Sequence, residues 1–133
     1  MCIRDRSCDT DYSENLVEQA KNADLLFHDA LSQNMIGRLE EISEDVNPLL
    51  STVFYDIQDY HASPIEAAQA ANEANVKELI FYHLTPAPQN FIAKIIFVRG
   101  VNEVRPNNWT LADDGTIAIL PVGSDKVEIT NIN

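Results

Sequence analysis

The chain has 133 residues, which is enough for one ordinary domain and too short for two. Its formal net charge is -12, from 21 acidic and 9 basic residues, which disfavours the clustered Lys and Arg of a general nucleic-acid-binding surface. Its two cysteines, Cys2 and Cys8, give poor evidence for a disulfide framework, and no apolar run reaches the roughly 18 residues of a membrane span. The composition therefore predicts one globular domain with a hydrophobic core.

The first residues differ in character from the rest of the chain. Residues 1–7 (MCIRDRS) have neither helical nor strand periodicity and resemble the translated adapter sequence at the start of some metagenomic genes. We interpret them as a non-native N-terminal scar, and residues 8–133 as a single partial domain. Ser13 is then a candidate N-cap for a helix. The apolar run at residues 23–28 (ADLLFH) predicts a buried strand, with His28 at its carboxyl end.

The next segment predicts two consecutive helices. Apolar residues recur at helical spacing over residues 32–43 and again after Asn47-Pro48. We interpret this pair as an insertion, for which two roles are open. The helices either cover a site or contribute ordinary core packing.

The clearest local signals lie between Asp59 and Pro86. Ser63 is a good N-cap, and Glu66, three residues later, can complete a capping box. The helix predicted over residues 64–75 has alanines at three-residue spacing, which gives it a narrow face for close packing on a sheet. Residues 78–82 (ELIFY) then predict a buried strand that ends at His83.

The C-terminal third changes from helix to strand. A helix is predicted over residues 89–98, with Gly100 as a C-terminal cap. Three short strands are expected after it, at residues 109–111, 116–119 and 126–129. Asp114-Gly115 between the first two is a hairpin signal. The order of elements predicts an α/β sheet that continues into an antiparallel meander.

Two histidines flank the 64–75 helix and suggest a site. In sheets of alternating strands and helices, ligands bind at the carboxyl ends of strands, where His83 is expected. His61 precedes a helix N-terminus, which favours anions. The pair would suit hydrolysis of a charged ester. The alternative is that His83 only ends a strand and that His61 is a solvated loop residue.

Four segments together resemble the C-terminal half of the metallo-β-lactamase superfamily, in the branch of ribonuclease Z, metal-dependent phosphodiesterases and arylsulfatase-like hydrolases. Cys8-Asp9-Thr10 matches the family's Gly-Asp-Thr turn, and ADLLFHDA (23–30) matches its D-L-L-I-H-E-A strand. YHASPIEAA (60–68) matches its His-x-Ser helix start, and VKELIFYHL (76–84) matches its terminal histidine strand. Cys8 departs from the family's glycine. The resemblance implies an α/β fold that is the C-terminal half of an αββα sandwich, with a short antiparallel β tail.

The resemblance also implies roles for individual residues. Asp9 would bridge two divalent metal ions, usually zinc with manganese as an alternative, and His83 would ligate the second ion. His61 would be the catalytic residue at the scissile or leaving group, while His28 would support the site from beside it or touch the substrate. The implied reaction is hydrolysis of a phosphoester, sulfate ester or related bond by a metal-bound hydroxide.

The sequence departs from that family in one important respect. The family's His-x-His-x-Asp-His motif is absent from a chain that has three histidines in all. Asp9 and His83 are too few ligands for a tight dinuclear site, so the resemblance implies a hydrolase fragment that is inactive in isolation. The alternative is a non-catalytic α/β interaction module with the same half fold. The expected partner is a small-molecule or phosphoester substrate, and the acidity of the chain disfavours nucleic acid. We expect no association with a membrane, and a homodimer is compatible with the sequence.

Overall fold

Four parallel strands form the main sheet, in a computed structural model that describes residues 4–6 and 10–132. Their order in the sheet follows the sequence: β1 (Arg4–Arg6), β2 (Leu25–Leu31), β3 (Glu78–Thr85) and β4 (Trp109–Leu111). Two further strands, β5 (Thr116–Ile119) and β6 (Glu128–Asn131), pair antiparallel in a separate sheet. The predicted α/β architecture and its antiparallel tail are confirmed.

Helices supply the crossovers that parallel strands require. Those in the described range are α1 (Glu14–Gln19), α2 (Gln33–Glu44), α3 (Pro48–Asp56), α4 (Pro64–Glu73), α5 (Phe91–Phe97) and α6 (Val101–Val104), with a short 3-10 helix at Ile57–Asp59. The segment from α2 to α4 connects β2 to β3, and α5 and α6 connect β3 to β4. The helix α6 was not predicted, because four residues are too few to show a periodic pattern.

The strands extend beyond their predicted limits. The strand β2 continues through His28 to Leu31, and β3 continues through His83 to Thr85. Residues Arg4–Arg6, for which periodicity predicts no element, pair with β2 as an edge strand. Hydrogen bonding to a neighbouring strand sets where each strand ends, and the local sequence pattern does not reveal that pairing.

The predicted antiparallel meander is wrong in its first pairing. The strand β4 pairs in parallel with β3, so that Leu79 lies opposite Trp109 and Phe81 lies opposite Leu111. The Asp114-Gly115 signal does mark a turn, in which Gly115 has φ 88° and joins the two sheets. Trp109 and Leu111 pack against the buried core. This long-range packing outweighs the local hairpin preference.

The alanine face of α4 packs on the main sheet as predicted. Ala68 and Ala71 are buried in a core cluster with Leu26, Leu79 and other apolar residues. The predicted capping box is present, because the Glu66 N–H donates to Ser63 Oγ (3.2 Å) and the Ser63 N–H donates to Glu66 Oε2 (2.8 Å).

We expect Ala71→Leu to destabilise the protein by about 1 to 3 kcal/mol, because the larger side chain would overpack a full contact. Gln69→Leu, on the exposed side of the same helix, is the matched control. Urea unfolding of the two variants measures the difference. Equal stability of both variants would contradict the assigned packing face.

The apolar stripes of α2, α3 and α5 remain largely exposed. No residue of α3 is buried, and Leu49 and Phe91 are 77% and 76% exposed. In α2, Ile36 is buried but Ile42 is exposed. The interpretation as ordinary core helices therefore holds for part of α2, where Ile36 is buried and Met35 packs on the core, and is not supported for α3. Among the described residues, no helix has the length and apolar character needed to cross a membrane.

Candidate active site

A buried carboxylate, Asp29, lies between two histidine rings. Its Oδ2 is 2.9 Å from Nδ1 of His61, and its Oδ1 is 3.2 Å from Nδ1 of His28. Asp29 and His28 are 0% exposed, and His61 is 8% exposed. A charge buried this deeply requires polar partners. The structure thus brings His28 and His61, both predicted site residues, together around Asp29, which we did not predict.

The loop before α4 holds His61 in this position. The Leu31 N–H donates to the Ala62 carbonyl (2.9 Å), and the Ala62 N–H donates to the Thr10 carbonyl (3.1 Å). These bonds fix the residue next to His61 against the end of β2. The alternative that His61 is a solvated loop residue is therefore wrong. Asp9 lies outside the described residues, so its bridging role stays a prediction.

A β-bulge sets the position of His83. Asp29 lies opposite Tyr82 and Ala30 lies opposite Leu84, so His83 is the extra residue of β3. Its φ is 46°, in the left-handed region that is unfavourable for a residue with a side chain. The His83 side chain is exposed, and its ring centroid is 5.9 Å from that of His61. The bulge therefore brings His83 beside the buried pair without burying its imidazole.

Asp29 is the strongest electrostatic feature of this group. Burial raises the pKa of its carboxyl, but the adjacent imidazoles of His28 and His61 outweigh burial and hold that pKa below its ordinary value. Because a carboxylate only accepts hydrogen bonds, the hydrogen between Asp29 and His61 lies on Nδ1 of the imidazole. In the neutral ring the lone pair is then on Nε2, which is the arrangement of a histidine prepared for proton transfer.

The described residues do not form a metal site by themselves. Between residues 10 and 132, no group of three or more His, Cys, Asp or Glu side chains is arranged to hold a metal ion. His83 is exposed and suits the role of a single ligand, whereas catalytic zinc ordinarily has three protein ligands. Any complete metal centre would need ligands beyond this part of the chain.

A cavity of about 460 Å³ opens beside His83. Its lining includes Tyr82, Gln89, Asp113 and Asp114. This volume is in the range of small-molecule sites, and Lys94 forms an ion pair with Asp113 in its wall. A second cavity, of about 1020 Å³, is lined by polar residues at the amino ends of the strands and includes none of the three histidines. We regard the smaller cavity as the one relevant to chemistry, since it contains His83.

One signal in the sequence pointed to Asp29. An acidic residue directly follows the strand histidine both in ADLLFHDA and in the D-L-L-I-H-E-A strand that it resembles. An ionisable residue within an otherwise apolar run is costly to bury unless it is paired. The spacing alone did not show that its partner would be His61, 32 residues further along the chain.

Comparison with known proteins agrees with the fold and with this resemblance. No family model matches the chain. A ribonuclease Z from Synechococcus sp. (strain CC9902) is 28% identical over 115 residues, which cover 85% of this chain and 31% of that protein. The metallo-β-lactamase fold protein YhfI from Bacillus subtilis superposes with a TM-score of 0.51 and 19% identity, over 80% of this chain and 35% of that one.

The chain thus spans about a third of the length of both proteins. The structural match shows the fold, and the sequence match extends over most of the chain. The chain therefore has the fold of part of a metallo-β-lactamase fold protein, and over most of its length its sequence is similar to that of a ribonuclease Z.

Proposed function

We propose that this chain contributes part of the active site of a metal-dependent hydrolase acting on a phosphoester, sulfate ester or related bond. The observation that carries the proposal is the buried Asp29–His61 pair, which lies beside the exposed His83. Similarity to a ribonuclease Z supports the same general class of reaction. The net charge of -12 favours a small substrate over RNA.

In this proposal His61 is the catalytic residue. Asp29 accepts the Nδ1 hydrogen of His61 at 2.9 Å and stabilises the ring when it becomes protonated. Nε2 of His61 would accept or donate a proton on the leaving-group side of the scissile bond. Positioned acid–base groups of this kind contribute about 100- to 10,000-fold to a rate.

His83, together with Asp9, would hold part of a divalent metal centre, with zinc or manganese as the ion. A metal bound there would supply a nucleophile at neutral pH by lowering the pKa of water to about 7. Two ligands do not suffice for such a centre. We therefore propose that the 133-residue chain is inactive in isolation.

Hydrolysis of bis-p-nitrophenyl phosphate tests both parts of this proposal. With zinc or manganese added, we expect no turnover by the chain alone. We expect turnover by a protein extended N-terminally with the coding sequence upstream of Asp9, if that sequence supplies a His-x-His-x-Asp-His motif. Chelator-sensitive hydrolysis by the chain alone would contradict its incompleteness. Failure of the extended protein to hydrolyse phosphoester and sulfate-ester substrates would contradict the proposed function.

A non-catalytic α/β interaction module is the second candidate function. It is favoured by the lack of a metal-holding group within residues 10–132 and by the exposed apolar residues of α3 and α5. The upstream DNA distinguishes the two candidates. An open reading frame with the His-x-His-x-Asp-His motif supports the hydrolase, whereas a true start codon at Met1 supports the module.

A further inference from the structure

His28 is a buried imidazole that makes its hydrogen bond to Asp29. Its Nδ1 donates to the main-chain carbonyl of Asp29 at 2.8 Å and also lies 3.2 Å from the carboxylate Oδ1 of the same residue. The register between β2 and β3 shifts directly after Asp29. His28 therefore supports both the backbone and the charge of Asp29 at the point where the strand pairing is irregular.

Packing alone does not account for a histidine at this position. Among the described residues, His28 Nε2 has no hydrogen-bond partner although the side chain is 0% exposed. Burial of an acceptor without a partner is unfavourable, and a leucine of similar size would avoid this cost. The polar contribution of the ring thus comes from Nδ1, which is the atom that contacts Asp29.

The second carboxylate oxygen of Asp29 leads to the same conclusion. Among the described residues, Oδ1 has no hydrogen-bond partner, and Nδ1 of His28 lies 3.2 Å from it. Oδ2 is the atom bonded to His61. A partial rotation of the carboxylate about the Cβ–Cγ bond would move Oδ2 away from Nδ1 of His61 and weaken that hydrogen bond. The 3.2 Å contact with His28 opposes that rotation.

We propose that His28 is a positioning residue that orients the Asp29 carboxylate, so that Asp29 holds His61 in its Nδ1–H form. The inference deepens the proposed function, because it concerns the preparation of the same catalytic histidine. His28 acts through Asp29 and need not touch the substrate. The order of contacts is His28 to Asp29 to His61.

Two amide substitutions distinguish the contribution of His28 Nδ1 from that of Nε2. In His28→Asn the side-chain NH₂ takes the approximate place of Nδ1, whereas in His28→Gln it takes the approximate place of Nε2. We expect the Asn variant to keep the donor to Asp29 and the Gln variant to lose it. Both variants remove the imidazole and leave a polar group in the core, so they are matched for general disturbance.

The readout is the tautomer of His61 in the ¹⁵N-labelled 133-residue chain, measured by two-dimensional NMR of the ring nitrogens. We expect the Nδ1–H form to predominate in the unsubstituted chain and in His28→Asn. In His28→Gln we expect the Nε2–H form to increase several-fold, as it should in Asp29→Asn. His28→Leu replaces the Gln variant if the latter does not fold.

An unchanged His61 tautomer in the folded Gln or Leu variant would overturn the proposal. An equal change in the Asn and Gln variants would also overturn it, because the effect would then not come from the Nδ1 position. Ala71→Leu is the control for destabilisation, and it should leave the tautomer unchanged. The measurement needs neither metal nor substrate, so its result is independent of the hydrolysis assays that test the proposed function.

Discussion

Replacement of Arg105 by leucine is expected to destabilise the protein by about 3 to 5 kcal/mol. The guanidinium is 7% exposed and donates hydrogen bonds to the carbonyl oxygens of Val76 (2.8 Å), Lys77 (3.1 Å) and Asn108 (3.1 Å). It also donates to Asn72 Oδ1 (2.8 Å). Arg105 thereby joins α4, the start of β3 and the turn before β4. Leucine would remove all of these hydrogen bonds, and of the acceptors only the Asn108 carbonyl has a second donor among the described residues, the Leu79 N–H (3.0 Å).

The electrostatic environment of Arg105 agrees with this structural role. Burial lowers the pKa of the guanidinium, and the charge of Glu78 acts against that effect. A lysine could not replace the planar five-donor group, so Arg105→Lys should recover only part of the lost stability.

Equilibrium unfolding in urea measures the effect of Arg105→Leu. Arg99→Leu, which changes the same type of residue at an exposed position, is the matched control and should change stability by less than about 0.5 kcal/mol. If the two variants were equally stable, Arg105 would not be the link between these elements.

The elements that could be predicted from sequence are those specified by local chemistry. The capping box of Ser63 and Glu66 starts α4, and its alanine spacing defined the face that packs on the sheet. The apolar run at residues 78–82 likewise predicts the buried strand β3. In each case the signal and its structural consequence lie within about ten residues of one another.

The features that escaped prediction depend on contacts distant in sequence. The parallel pairing of Trp109–Leu111 with β3 depends on packing against the core. The burial of Asp29 depends on a hydrogen bond to His61. Exposure of α3 was also not predictable, because an apolar stripe at helical spacing does not say what covers it.

The second large effect is expected for His83→Ala in the N-terminally extended protein. His83 is the exposed residue of the β3 bulge and the predicted ligand of the second metal ion. Loss of one ligand from a site that needs three protein ligands should empty that site. Hydrolysis should then fall by more than the roughly 10- to 100-fold effect of mutating a residue that only supports a ligand.

The matched control is His28→Asn in the same extended protein. It removes a histidine near the site, but one that is bonded to Asp29 and is not assigned to a metal ion. We expect this variant to retain its full metal content. A loss of metal common to both variants would indicate general disruption of the site.

Metal content per polypeptide, determined by inductively coupled plasma mass spectrometry on the extended protein, tests the assignment of His83 most directly. We expect two divalent ions in the unsubstituted protein and in His28→Asn, and one ion in His83→Ala. Two ions and full hydrolytic activity in His83→Ala would contradict the assignment.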